Sequence, residues 1–285
     1  MGKRFANALT HLVRGLSAVE KPWRRTDTRL RVAQGLWGQQ RIETRHGPLT
    51  FVTTHPQALQ YPREFETREP ETIAWIDGFD TPCRFWDIGA NIGVFSIYAG
   101  LRTDIEVRAF EPAAASYGAL CRNIEANRLD ERVWAYCLAL GDRTELGRLY
   151  LSATNAGSVF NAFESTEDCF GNEIAPVFRQ SVIGFSIDDF RQQFGLPAPN
   201  YLKIDVDSIE ERILEGGRQT LRDPELRSVL IELEAKKTVR NSRLIEALEA
   251  AGFQLALRGE RNQGGVVNGI FTRTAFRVEL NALVA

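Results

Sequence analysis

Between residues 84 and 138 the hydrophobic and polar positions switch between two rhythms. Apolar runs short enough for strands, 84–88, 105–110 and 132–138, alternate with stretches of helical period at 93–101 and 112–127. Strands and helices alternating at this length predict a parallel sheet with helices on both faces. The rhythm resumes with a fourth strand at 201–207 and a fifth at 228–234. A helix over Leu244–Ala251, ended by Gly252, follows, and then 253–258 and 266–273 read as an antiparallel pair. The predicted fold is α/β: a doubly wound, mostly parallel seven-stranded sheet whose last strand is antiparallel. Two strand-like pieces, 147–152 and 180–186, flank a polar loop of about 28 residues, a length that marks a functional or mobile segment.

Ahead of this region the pattern differs. Residues 3–19 place Phe5, Leu9, Leu12, Val13 and Leu16 on one helical face, with Lys3, Arg4, Asn7 and Arg14 elsewhere. Pro22-Trp23-Arg24-Arg25 is expected to break that helix. Residues 41–52 read as a hairpin turned at His46-Gly47-Pro48, and Glu69-Pro70-Glu71-Thr72 opens a helix. The chain is therefore expected to divide into an N-terminal helix and hairpin extension, 1–60, and a main domain, 61–285.

The candidate chemistry gathers where the first strand ends. In Asp87-Ile88-Gly89-Ala90-Asn91-Ile92-Gly93, two glycines four apart open the backbone to a ligand at the mouth of a helix. A dinucleotide fingerprint has glycine where Asn91 stands, and a diphosphate is repelled by an acid placed like Asp87. A carboxylate and an amide suit the ammonium of a zwitterion, so the turn favours S-adenosylmethionine over a nicotinamide dinucleotide. Glu111, 24 residues after Asp87, ends the second strand where a carboxylate accepts from both hydroxyls of a ribose. Asp142, beyond the third strand, is aimed at the same crevice. On the fourth strand Tyr201, Lys203 and Asp205 share a face; a central strand is buried on both faces, so Lys203 needs an anionic partner.

These motifs resemble the FkbM family of S-adenosylmethionine-dependent methyltransferases. The resemblance is carried by Glu69–Thr72, Asp87–Gly93, Ala109-Phe110-Glu111-Pro112, Asn123–Asn127, Leu138–Asp142 and Lys203-Ile204-Asp205-Val206, and extends from about Glu69 to Phe271. It implies that Asp87, Gly89, Asn91, Gly93 and Glu111 hold the cofactor, that Asp142 lies near its adenine, and that the long loop brings Asn155 and Ser158 to the cofactor and acceptor. Phe160, Phe163, Phe170 and Phe178 are candidates for an apolar acceptor wall. The family usually has Glu-Gly after Asp-Val, where this chain has Asp207-Ser208. The activity implied is O-methyl transfer to a hydroxyl of a sugar, glycan or secondary metabolite. Asp205 is the first candidate for the catalytic acid, Asp207 the second, and Lys203 orients or balances them.

Composition narrows the partners. With 44% hydrophobic and 25% charged residues the chain is globular, and it has no apolar run long enough to span a bilayer. Cys83, Cys121, Cys137 and Cys169 lack Cys-x-x-Cys spacing and read as reduced thiols of a cytoplasmic protein. The three histidines, His11, His46 and His55, all precede the candidate site, so neither a histidine base nor a His-rich metal site is expected. The net charge of −2 conceals ten Lys or Arg against three acids in residues 1–45. That balance leaves the rest acidic, which suits a neutral acceptor better than nucleic acid. The basic amphipathic helix stays open to two readings: peripheral contact with an anionic membrane, or packing on its own domain or in a homodimer. Two other function classes remain alternatives, a non-catalytic S-adenosylmethionine-binding or membrane-docking module and a nicotinamide-dependent oxidoreductase.

Overall fold

The computed structural model describes residues 2–53, 55–165, 173, 175–206, 208–234, 238–259 and 266–274. The chain separates into two units, Met1–Gln39 and Gln40–Ala285. The smaller one consists of α1 (Gly2–Ser17) and α2 (Pro22–Gly35). The expected break is present, since α1 ends at Ser17, and Pro22 then starts a second helix. Proline at the first helical position gives up an N–H that has no intrahelical partner anyway.

The hairpin β1 (Gly38–Thr44) and β2 (Gly47–Thr53) follows, starting two residues before the division and otherwise belonging to the larger unit. The boundary expected near residue 60 falls earlier, at 39/40, because β2 is tied to the main domain: Asn127 and Asn123 accept from the Thr50 and Val52 amides, both at 2.8 Å. A 3-10 turn (Pro56–Leu59), α3 (Gln60–Arg63), α4 (Phe65–Arg68) and α5 (Pro70–Asp77) lead into β3 (Cys83–Ile88). Then follow α6 (Val94–Gly100), β4 (Ile105–Phe110), α7 (Ala114–Asn127), β5 (Val133–Tyr136), β6 (Ala139–Gly141), β7 (Glu145–Leu151), β8 (Ala162–Phe163) and β9 (Phe178–Ser186). The chain ends with α8 (Ile187–Phe194), β10 (Tyr201–Ile204), α9 (Glu210–Gly216), α10 (Arg218–Arg222), β11 (Ser228–Glu234), α11 (Thr238–Ala250), β12 (Phe253–Arg258) and β13 (Val266–Arg273).

Seven strands form the main sheet in the order β12-β13-β11-β10-β3-β4-β5. Neighbours from β11 to β5 pair in parallel, and β13 runs antiparallel between β11 and β12. The strand expected over 132–138 is shorter. After Tyr136 the chain leaves the main sheet, and β6 joins a second, four-stranded sheet, β6-β9-β7-β8. The two pieces flanking the long loop are its antiparallel pair, β7 and β9.

Two apolar clusters cover the main sheet. Phe85, Val107, Tyr201, Leu230 and Ile270 pack into one, and Trp86, Ile88, Phe110, Leu202, Ile204, Val229 and Ile231 into the other. Strand alternation therefore sends Asp87 and Lys203 to the same side as Phe85 and Tyr201. No helix among the described residues is long and apolar enough to cross a membrane.

Candidate functional site

The site forms where β3 and β10, adjacent parallel strands, run out together. Lys203 and Asp87 are register partners across that pair, both about 1% exposed. Lys203 Nζ donates to Asp205 Oδ2 at 2.6 Å and lies 3.8 Å from Asp87 Oδ1. Burial alone pulls the Lys203 pKa down, but the carboxylates of Asp205, Asp87 and Glu69 outweigh it and hold the ammonium charged. Burial pushes the Asp87 carboxyl above its usual range, against the opposing pull of Lys203 and of the hydrogen bond that Ser96 donates at 2.6 Å. One cation thus stands among three acids.

Beyond Ile88 the backbone enters left-handed conformations at Gly89 (φ 82°), Asn91 (φ 52°) and Gly93 (φ 85°). At Gly89 the glycine is required twice over. The positive φ disfavours a side chain, and a Cβ there would lie 1.8 Å from the Asp205 carbonyl oxygen, so the two strand ends approach only without it. Glu111 fixes the turn from the next strand: its Oε2 accepts from the Asn91 amide at 2.8 Å and its Oε1 from the Ala113 amide at 2.7 Å. The Asn91 side chain donates to Tyr61 Oη at 3.1 Å and to the Ser158 carbonyl at 3.4 Å. Asn91 Oδ1 and Asp87 Oδ1 are buried acceptors without a hydrogen-bond donor in the structure.

A cavity of about 960 Å³ adjoins this turn. Gly89, Asn91, Glu111, Ser158, Lys203 and Asp205 border it, with Phe160 and Phe163 supplying part of an apolar wall. Gly93, the helix N-cap, and Asp87 stand behind the turn rather than on the described cavity wall. Phe178 is an exposed residue at the start of β9. Asn155 sits outside the described wall, donating to Gln57 at 2.9 Å. Asp207 and Phe170 lie outside the described residues.

Asp142 is not brought to the crevice. The β6 segment carries it into the second sheet, where Arg212 Nε donates to its Oδ1 at 2.7 Å. Its burial raises the carboxyl pKa, but Arg212, the local backbone and Arg143 reverse the shift and leave it low. The sequence pointed Asp142 at the ligand because 132–138 read as one strand of the main sheet.

Several wall residues were not singled out for the site. Glu69 Oε2 accepts from Thr72 Oγ1 at 3.0 Å and Asn268 Nδ2 at 3.1 Å, and Asn268 also donates to Glu71 at 2.9 Å. Burial, with Asp205 adding to it, holds the Glu69 carboxyl above its usual range against Lys203. A signal existed: Asn268 is the polar residue inside the apolar run Val266-Val267-Asn268-Gly269-Ile270-Phe271. Asn268→Ala removes the amide donor from both glutamates at once, and unfolding in urea is expected to show a loss of about 1–3 kcal/mol, the cost of stranding buried acceptors.

The reversed strand between two others, the glycine turn after the first parallel strand and the acid ending the second define a Rossmann-like methyltransferase fold. A model of the FkbM methyltransferase domain matches residues 87–255, and the chain belongs to that family. No curated protein matches the chain. Similar solved structures include the FkbM methyltransferase of Methylobacillus flagellatus, at 17% identity over 66% of this chain and 43% of that one, with a TM-score of 0.47. The chain thus spans less than half the length of that relative. Precorrin-6y C5,15-methyltransferase of Geobacter metallireducens matches at 13% identity over 72% of this chain and 86% of its own, with a TM-score of 0.43.

Proposed function

We propose that the protein is an S-adenosylmethionine-dependent O-methyltransferase whose acceptor is a hydroxyl of a sugar, a glycan unit or a secondary metabolite. The residues present fit that cofactor. Glu111 borders the cavity at the end of β4, where a carboxylate suits a ribose diol, and Asn91 Oδ1 on the same wall is an acceptor for an ammonium group, with Asp87 behind it. Ser158 adds a polar group to the cavity wall beside Asn91.

When bound, the cofactor supplies an electrophilic methyl group on sulfur. The protein's own work is to align an acceptor, exclude water and take up a proton. A hydroxyl is a poor nucleophile near neutral pH, so a carboxylate within reach of its proton accelerates the step. Asp205 carries this reading. It is a partly exposed carboxylate on the cavity wall, held by Lys203 at 2.6 Å, and can take the hydroxyl proton as the oxygen–methyl bond forms.

Incubation with S-adenosylmethionine and separate pools of polyhydroxylated, amine and thiol acceptors tests the proposal. S-adenosylhomocysteine is expected from the hydroxyl pool alone. Turnover with amines, or binding of cofactor without turnover on any pool, overturns the O-methyl assignment. Glu111→Ala is expected to weaken S-adenosylmethionine binding by about 1–3 kcal/mol, as for loss of a charged hydrogen-bond partner, and Asp87→Ala to weaken it by a similar amount through loss of the carboxylate that faces Lys203 behind the turn. Unchanged calorimetric affinity in both variants would sink the cofactor assignment.

A further inference from the structure

The N-terminal unit leaves an apolar surface of its own uncovered. Its two helices meet along a polar edge of α1. Arg29 Nε donates to the Ser17 hydroxyl at 2.7 Å and Arg29 Nη2 to the Arg14 carbonyl at 3.3 Å, while Thr28 donates to Glu20 at 2.6 Å. Ser17 is the buried residue of α1. Phe5, Leu9, Leu12 and Leu16, spaced four, three and four apart, form a separate stripe. These residues are 68%, 45%, 55% and 65% exposed, so α2 leaves much of each uncovered, while Val13 on the same face is partly buried. Trp23, at the start of α2, is 68% exposed, with the Arg24 guanidinium 4.8 Å from its ring.

The charge of the unit indicates what covers that stripe. Residues 1–39 hold eight Lys or Arg against only Glu20 and Asp27, a balance of +6 in a chain of net −2, so the remainder carries −8. A helix with an apolar stripe, a basic polar side and little overall hydrophobicity is suited to lying in the plane of a bilayer. An exposed tryptophan beside arginine matches the headgroup level. An apolar protein groove would satisfy the leucines but make no use of the surrounding positive charge.

We propose that this unit docks reversibly on an anionic lipid bilayer. Phe5, Leu9, Leu12 and Leu16 enter the boundary between headgroups and acyl chains, and Lys3, Arg4, Lys21, Arg24 and Arg25 pair with headgroup phosphates. The apolar part of this attraction is insensitive to salt, whereas the charged part is screened within a Debye length.

The test uses the full chain with vesicles of phosphatidylcholine alone or mixed with phosphatidylglycerol, at about 0.02 M and 0.5 M salt. The chain is expected to sediment with the anionic vesicles at low salt, to lose about tenfold or more of that partitioning at high salt, and to ignore phosphatidylcholine. The double variant Leu9→Glu/Leu12→Glu is expected to lose about tenfold or more of the binding while keeping its helicity and solution mass, since both side chains are exposed. A wild-type chain that stays in the supernatant at low salt overturns the proposal. So does a dimer that the double variant dissociates, because the stripe then belongs to a second copy.

Discussion

Lys203→Met is expected to destabilise the protein by about 3–5 kcal/mol, lowering the melting temperature by about 10 °C. Methionine fills much of the same volume, so the loss is not one of packing. Lys203 is the cation facing Asp87, Asp205 and Glu69, and Asp87 is 1% exposed. Removing one partner of a buried ion pair strands the other, which costs far more than the pair itself contributes. The loss should depend on pH with a defined sign. Asp87 and Glu69 already have raised pKa values in the folded state, and losing Lys203 raises them further. An acid whose folded pKa is raised contributes stability below that pKa and loses it as pH rises through it. The variant should therefore lie nearest the wild type in mildly acidic buffer and fall away towards alkaline pH. Lys203→Met/Asp205→Asn should recover part of the loss, since it also neutralises the carboxylate nearest Lys203, at 2.6 Å. A pH-independent loss below about 1 kcal/mol in urea titrations would show that the three acids are solvated well enough without Lys203.

Where sequence predicts well here, local pattern and tertiary environment agree. The strands at 105–110, 228–234, 253–258 and 266–273 appear with their expected ends because their apolar runs stop where the sheet stops. The glycine turn was legible because positive φ at Gly89 and Gly93 selects the residue type directly. The failures have separate causes. The break before Pro22 was legible but the second helix it starts was not, because proline is a breaker inside a helix and an initiator at its first position, and composition does not distinguish these roles. Tyr136 and Ala139 belong to different sheets, yet hydrophobicity barely changes between them, so the strand was extended and Asp142 was aimed at the wrong place. Glu69 and Asn268 are 199 residues apart in sequence. The packing of β13 against the start of α5 brings the amide to the glutamate, and no local period encodes that meeting.

Asp205→Asn is expected to lower kcat by about 10²- to 10⁴-fold, the contribution typical of a positioned proton acceptor. Asparagine keeps the shape and can still accept a hydrogen bond from Lys203, but it cannot take a proton from a hydroxyl. The fold should survive because Asp87 and Glu69 remain to balance the Lys203 charge. Cofactor affinity should change little, since Gly89, Asn91 and Glu111 do not depend on the Asp205 carboxylate for their geometry: Glu111 is fixed by the Asn91 and Ala113 amides. That separation makes the experiment decisive. A fall in kcat with the S-adenosylmethionine dissociation constant and melting temperature preserved identifies a group acting in the transition state. Comparable losses of turnover and cofactor affinity would instead make Asp205 a binding residue. If kcat is unchanged, proton removal by Asp205 is not part of the reaction, and the Lys203–Asp205 pair serves to hold the ends of β3 and β10 together.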